Sequence, residues 1–413
     1  MGKYFSDVVD QALEDIYYCY DNDRAARAQE ALFQASKTGD GDASYILSRC
    51  FSGPLYSWDY HPFQEHDDTV TALIRQSILQ GSAMGVLGAM RVGELTPELE
   101  EAMPFDSLQQ AWNAVYEKAD AGCLFCQNMI GNTYYWLDIP RIENKGPGDF
   151  PTKEDFGAYL RESTLKCIPW FERAFRGGMG FSGRNLYKLY NEGEEGWLAP
   201  QPEKALEVAR LGAELGYPDW QERYAGKIVD DENRRLEALS LFEKAVAQGQ
   251  LYSWVYLGWM YQFGKGVPKD LPKALECYEA GTADPTSVEA SVRAGRMHFN
   301  GDGVPQDYAR AVQLFERAHE KGNFSCNDML GNCYLFGYGC QKNPARALQL
   351  FQEAKQSSSL LNYGMGMIYA DGMGVPEDIK KGVEYLQKCG DYAPAQQALL
   401  KFKKTFFGRW VRR

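Results

Sequence analysis

At 413 residues the chain exceeds the size at which one hydrophobic core stops growing, so it must hold several domains or a repeat array. Its 45% hydrophobic and 14% aromatic content supplies ample material for packed cores. A net charge of −12 excludes a general nucleic-acid binder, because phosphate contacts need clustered Lys and Arg. No apolar run reaches the ~18 residues that a membrane-spanning helix needs. The opening MGKYFSDVVDQALEDIYYCY lacks a basic start followed by an apolar stretch. The expectation is therefore a cytoplasmic chain whose ten scattered Cys are reduced thiols.

In chain order, RAQEALFQASKTG (27–39) and TVTALIRQSILQG (69–81) place apolar residues at helical spacing and end in Gly. Each reads as the second helix of a helical hairpin. Between them, HPFQEHDD brings His61 and His66 near Glu65 and Asp67. A surface loop running into the Asp67/Asp68 cap of the next helix accounts for these residues without a metal. Cys123 and Cys126 form a C-x-x-C pair, but no second pair lies at zinc-site spacing, and core packing explains them. CQNMIGNTYYW (126–136) matches CNDMLGNCYLF (326–336) almost position for position. An insertion at 137–164 follows, either an interaction element or a tolerated loop, before PWFERAFRGG closes the unit. NLYKLYNEGEEGWLAPQPEKALEVARLGAELG (185–216) and RLEALSLFEKAVAQG (235–249) continue the pattern in degraded form.

From residue 250 the pattern sharpens. YQFGKGVPKD, HFNGDGVPQD, YLFGYGCQKN and YADGMGVPED begin at Tyr261, His298, Tyr334 and Tyr369. The first turn glycines, Gly264, Gly301, Gly337 and Gly372, recur every 35 to 37 residues. A helix glycine precedes each: Gly258, Gly295, Gly331 and Gly366. An interior helix Gly costs about 1 kcal/mol against Ala, so it must permit a close approach by the partner helix. The G-x-G turn admits positive φ and ends the first helix. Asp270, Asp307, Asn343 and Asp378 then stand where an N-cap of the second helix belongs. Neither helix buries its apolar face alone, so the units must stack.

Ser253, Leu257, Gly258, Tyr261, Gly264, Gly266, Val267, Asp270, Lys273, Ala274 and Tyr278 fill a pattern that resembles the Sel1-like repeat, a relative of the tetratricopeptide repeat. The resemblance implies an all-α fold, a right-handed α/α superhelical solenoid of about ten helix-turn-helix repeats. Residues 1–122 are expected to be degenerate N-terminal repeats, and 123–249 intermediate repeats carrying the insertion. Residues 250–390 are four well-defined repeats, and 391–413 a capping helix with a basic aromatic tail. The resemblance also implies a non-catalytic scaffold or adaptor that binds a protein or peptide on its concave, first-helix side. It brings no cofactor, no metal and no catalytic residue.

Two features stand out as partner-binding candidates. Positions one and four after the helix glycine lie outside the repeat signature: Trp259 and Gln262, Arg296 and Phe299, Asn332 and Leu335, Met367 and Ala370; Asn132 and Trp136, one and five residues after Gly131, are the candidates upstream. Trp and Arg are frequent interface anchors, although packing against the neighbouring unit remains an alternative for all of these positions. The tail KFKKTFFGRWVRR has six basic residues and no acid, and removing its six charges from the net −12 leaves −18 on the first 400 residues. Lys403, Lys404, Phe406, Phe407, Arg409 and Trp410 could cap the last repeat, or dock on an acidic partner or an anionic membrane. Membrane contact is expected only there.

Overall fold

The computed structural model describes residues 3–18, 22–51, 68–284, 287–354 and 356–413. The chain is an all-α repeat solenoid that divides into two compact units, Met1–Tyr224 and Ala225–Arg413.

In the second unit each repeat is built from the same local chemistry. Helices Ser253–Phe263, Val288–Asn300, Asn327–Phe336 and Ser359–Asp371 end on Gly264, Gly301, Gly337 and Gly372, all left-handed. The turn then closes on itself: the backbone N–H of Asp270, Asp307, Asn343 and Asp378 donates to the carbonyl of Tyr261, His298, Tyr334 and Tyr369, at 2.7 to 2.9 Å. The same four side chains cap the second helices, accepting from the N–H of Lys273, Arg310, Arg346 and Lys381 at 2.9 to 3.0 Å. A cap of this kind is worth about 1 kcal/mol. The second helices are Leu271–Gly281, Tyr308–Glu320, Pro344–Glu353 and Ile379–Gln387.

The helix glycines do permit a close approach, but by a side chain. A Cβ on Gly258, Gly295 or Gly331 would lie 2.5, 2.6 or 2.4 Å from the ring of Tyr278, Phe315 or Phe351, and one on Gly366 would lie 2.8 Å from Leu386. These partners occupy one equivalent position of the second helix and are almost fully buried. Each repeat then registers on the one before it through the second turn glycine. A Cβ on Gly303 would meet the Cβ of Leu271 at 2.1 Å, and one on Gly339 would meet the backbone of Tyr308 at 2.3 Å.

The first unit reuses the joint in weaker sequence. Helix Leu124–Tyr135 packs on Cys167–Gly177, with a Cβ on Gly131 coming within 2.6 Å of the Phe171 ring. Gly41–Phe51 packs on Asp68–Leu79, and Gly183–Glu192 on Pro202–Glu214. The insertion is a built element. Ile139 and Ile142 of its short helix are buried in the core, Leu137 and Asn144 take positive φ, and Lys153–Leu165 forms a further helix.

The tail differs from expectation. After helix Ala393–Leu399 the chain forms an antiparallel hairpin of β1 (Phe402–Lys404) and β2 (Trp410–Arg412) rather than more helix. Gly408, at a φ of 77°, closes its turn, and of the first strand only Phe402 is buried in the core.

The joint yields a test. Gly331→Ala gains about 1 kcal/mol of helix propensity, yet its methyl would stand against Phe351 at an overpacking cost of about 1–3 kcal/mol, and a net loss of up to about 2 kcal/mol is expected. Thermal and urea midpoints should both fall. A midpoint at or above that of the parent chain would show that the ring is free to shift.

Candidate partner-binding surface

Along helix Leu124–Tyr135, Phe125, Asn128, Asn132 and Trp136 follow one another at three- and four-residue steps, so they share one face. That face opens on a cleft of about 390 Å³ within the first unit, walled also by Tyr45, Phe181 and Asn185. The floor is aromatic: the Phe125 ring lies 5.1 Å from Tyr17 and 6.5 Å from Tyr45, centroid to centroid. The walls are amides. Asn185 Nδ2 donates to Asn132 Oδ1 at 2.7 Å, and Ser182 Oγ donates to Asn128 Oδ1 at 3.0 Å. Arg91 is paired with Asp138, whose carboxyl burial pushes up and Arg91 draws back. Trp136 stands at the rim, 54% exposed, its ring edge-on to Tyr135 at 5.0 Å.

The structure sorts the remaining candidates. Trp259 is half-buried and lines a smaller cleft of about 250 Å³ with Tyr252, Tyr256 and Arg293. Arg296 is exposed beside a polar cavity of about 600 Å³ and donates to the carbonyl of Ser325 at 3.1 Å. Five others are occupied by the fold. Gln262 accepts from the Tyr278 hydroxyl at 2.8 Å, a bond within its own repeat. Phe299 packs between Tyr308 and Phe315. Asn332 is buried, its Nδ2 donating to the carbonyls of Asp328 and Leu360, and thus ties one repeat to the next. Leu335 is fully buried, and Met367 packs between the cores of two successive repeats.

Tyr45, Phe125, Asn128 and Asn185 were missed in the sequence. Extending the stripe one turn upstream of the helix glycine, from Asn132 back to Asn128 and Phe125, would have found the middle of the cleft.

The other chemistry resolves into packing. Among the described residues no group of three His, Cys, Asp or Glu is placed to hold a metal. His61, His66, Glu65 and Asp67 lie outside the described residues. Cys123 and Cys126 are buried; burial pushes the Cys126 thiol up, and its hydrogen bond to Cys123 draws the latter down. His298 takes the Tyr position of its repeat and meets Glu279 at 3.1 Å. No helix among the described residues is long and apolar enough to cross a membrane.

Glycine–ring joints, capped turns and register between successive hairpins define a helix-turn-helix repeat protein. The Sel1 repeat model matches residues 231–250, 255–282, 288–323, 325–359 and 357–388, so the repeats of this stretch are Sel1 repeats. No curated protein matches it significantly in sequence. Among solved structures, a protective antigen of uropathogenic Escherichia coli displaying an SLR fold is 19% identical. That match covers 94% of this chain and 78% of that one, at a TM-score of 0.53. A Sel1 repeat protein from Oxalobacter formigenes is 20% identical, over 67% of this chain and 97% of that one, at 0.46. The first match supports the fold over nearly the whole chain. Sel1 repeat proteins in general act as protein–protein interaction scaffolds, typically without catalysis.

One ionisable group goes unused by any partner surface. Asp219, near the start of helix Pro218–Ile228, is buried, and neither oxygen finds a side-chain hydrogen bond. Burial pushes its carboxyl up to about 7, against the pull of Arg184 and Arg223. A raised folded-state value means the native protein keeps a proton that the unfolded chain has already lost. Its contribution to stability is therefore complete below the ordinary carboxylate range and fades as pH rises towards 7. Asp219→Asn removes this dependence. The urea midpoint of the variant should pull ahead of the parent's as pH climbs from the acid range to 7, then hold a constant lead. A gap independent of pH would mean that Asp219 ionises normally.

Proposed function

We propose that the protein is a non-catalytic scaffold that grips an extended segment of a partner protein on its first-helix face, the face that the repeat resemblance makes concave. The observation that carries this reading is the cleft of the first unit, where one helical stripe supplies aromatic floor and amide walls together. Main-chain N–H and C=O groups of an extended peptide need donors and acceptors at close intervals. Asn132 and Asn185 offer both, because their mutual bond engages only Asn132 Oδ1 and Asn185 Nδ2, leaving a donor on one amide and an acceptor on the other for the peptide. Apolar side chains of the same peptide would settle on Phe125 and Tyr45, and Trp136 at the rim is the natural anchor. Trp259 and Arg296, on first helices of the second unit, are its own candidates for partner contact. Gln262, Phe299, Asn332, Leu335 and Met367 serve the fold instead.

Peptides selected from a random library on the intact chain provide the test. Trp136→Ala should weaken their binding by about thirtyfold, as loss of a hot-spot Trp does, and Asn132→Ala by about fivefold. Helicity should stay unchanged, since Trp136 is largely exposed and Asn132 lies outside the core. Selected peptides that bind both variants as tightly as the parent would remove the cleft from consideration.

A further inference from the structure

The hairpin divides the aromatic side chains of the tail into two pairs. Phe402 is 4% exposed and, with Trp410, joins the core of the last repeat alongside Leu386 and Ala398. These two cap the repeat. Phe406 and Phe407 stand on the turn, 98% and 93% exposed, their rings edge to face at 5.5 Å. Leaving two adjacent Phe side chains in water forfeits burial that a folded chain ordinarily takes.

The tip is also held rigid. Arg412 donates to Asp371 at 2.8 Å, to Glu377 at 2.9 Å and to the carbonyl of Ala370, tying the hairpin base to the last repeat. Thr405 N–H donates to the Arg409 carbonyl at 2.8 Å, and Gly408 N–H to the Thr405 carbonyl at 2.9 Å, so the turn satisfies much of its own backbone. The Phe pair therefore cannot fold back onto the core without breaking the hairpin.

Positive charge surrounds it. Lys401, Lys403, Lys404 and Arg409 are exposed, and no acidic residue follows Asp391 in the sequence. The first 400 residues carry the −18 left when six tail charges are removed from −12.

From this arrangement we propose that the hairpin tip docks on an anionic lipid surface, with Phe406 and Phe407 entering the headgroup boundary and the surrounding Lys and Arg meeting acidic headgroups. A fluid, negatively charged interface suits the site better than a protein pocket. Two side chains present far less than the ~800 Å² per partner that a stable protein interface buries. A lipid surface asks for no shape complement, only apolar area plus positive charge, and the tip has both. The acidic remainder of the chain is repelled by the same surface, which confines contact to the tip and makes it sensitive to salt.

The test is co-sedimentation of the intact chain with vesicles of mixed phosphatidylcholine and phosphatidylserine, against phosphatidylcholine alone. Uptake is expected on the mixed vesicles only, and added salt should release it. The double variant Phe406→Ser, Phe407→Ser should lose at least about tenfold in uptake with its melting temperature unchanged, since neither ring supports the core. Lys403→Gln with Lys404→Gln provides a second reading, with a loss of about fivefold per residue. Equal uptake on both vesicle types, or undiminished uptake by the Phe variant, would overturn the proposal. So would a Phe-dependent dimer in sedimentation equilibrium without vesicle uptake, which would assign the tip to a second copy of the chain.

Discussion

Every well-formed hairpin of this protein hangs on one contact, the side chain of a second helix laid flat on a glycine of the first. Tyr278 on Gly258, Phe315 on Gly295, Phe351 on Gly331 and Phe171 on Gly131 repeat it with an aromatic ring, and Leu386 on Gly366 with an aliphatic one. The balance of terms is simple. A helix-interior Gly costs about 1 kcal/mol, whereas full burial of a large apolar side chain returns about 1.5–3 kcal/mol. The contact also fixes how deeply the two helices interlock, since neither a larger residue nor a smaller ring fills the same space. Once the pair is fixed, the turn is fixed, and the second turn glycine can rest on the preceding second helix. Local geometry thus propagates from one repeat to the next without a long-range core.

That locality explains what could be read in the sequence. Turn glycines, caps and helix glycines recur because each hairpin needs them for itself, and the structure finds them where the repeat pattern places them. Exposure of the positions after the helix glycine is different, because it depends on what the neighbour brings. Asn132 and Asn332 occupy the same position, yet the first lines a cleft beside Asn185 while the second is buried against the Leu360 carbonyl. Gln262 is engaged only because its repeat carries Tyr278, whose hydroxyl reaches it; the equivalent Phe315 and Phe351 have none to offer. No rule about one residue in one repeat separates these cases.

The tail's hairpin is hard to read in the sequence for a related reason. Six basic residues and four aromatics suit an amphipathic helix on composition alone. The deciding residue is Gly408, whose positive φ closes the turn of a hairpin, where a helix would have to continue through it. The alternatives of cap and docking segment then dissolve, because a hairpin has a base and a tip. Phe402 and Trp410 serve the base, and Phe406 and Phe407 are left to the tip.

The same logic bears on why the proposed gripping surface is the first-unit cleft rather than the sharper repeats downstream. Binding is costly when side chains must be frozen on contact, at about 0.5–1.5 kcal/mol for each mobile one. In the cleft the freezing is already done. Asn132 is held by Asn185, Arg91 by Asp138, and the Phe125 ring by Tyr17 and Tyr45. These contacts lie within the wall itself and leave amide valences over. In the second unit comparable polar groups are spent on the fold: Glu279 is shared by His298 and Arg310, and Asn332 is consumed between repeats. Regular repeats use their polar side chains to keep their period. Where the period degrades, as it does upstream of residue 231, the same side chains are released from that duty and can be aimed at a partner.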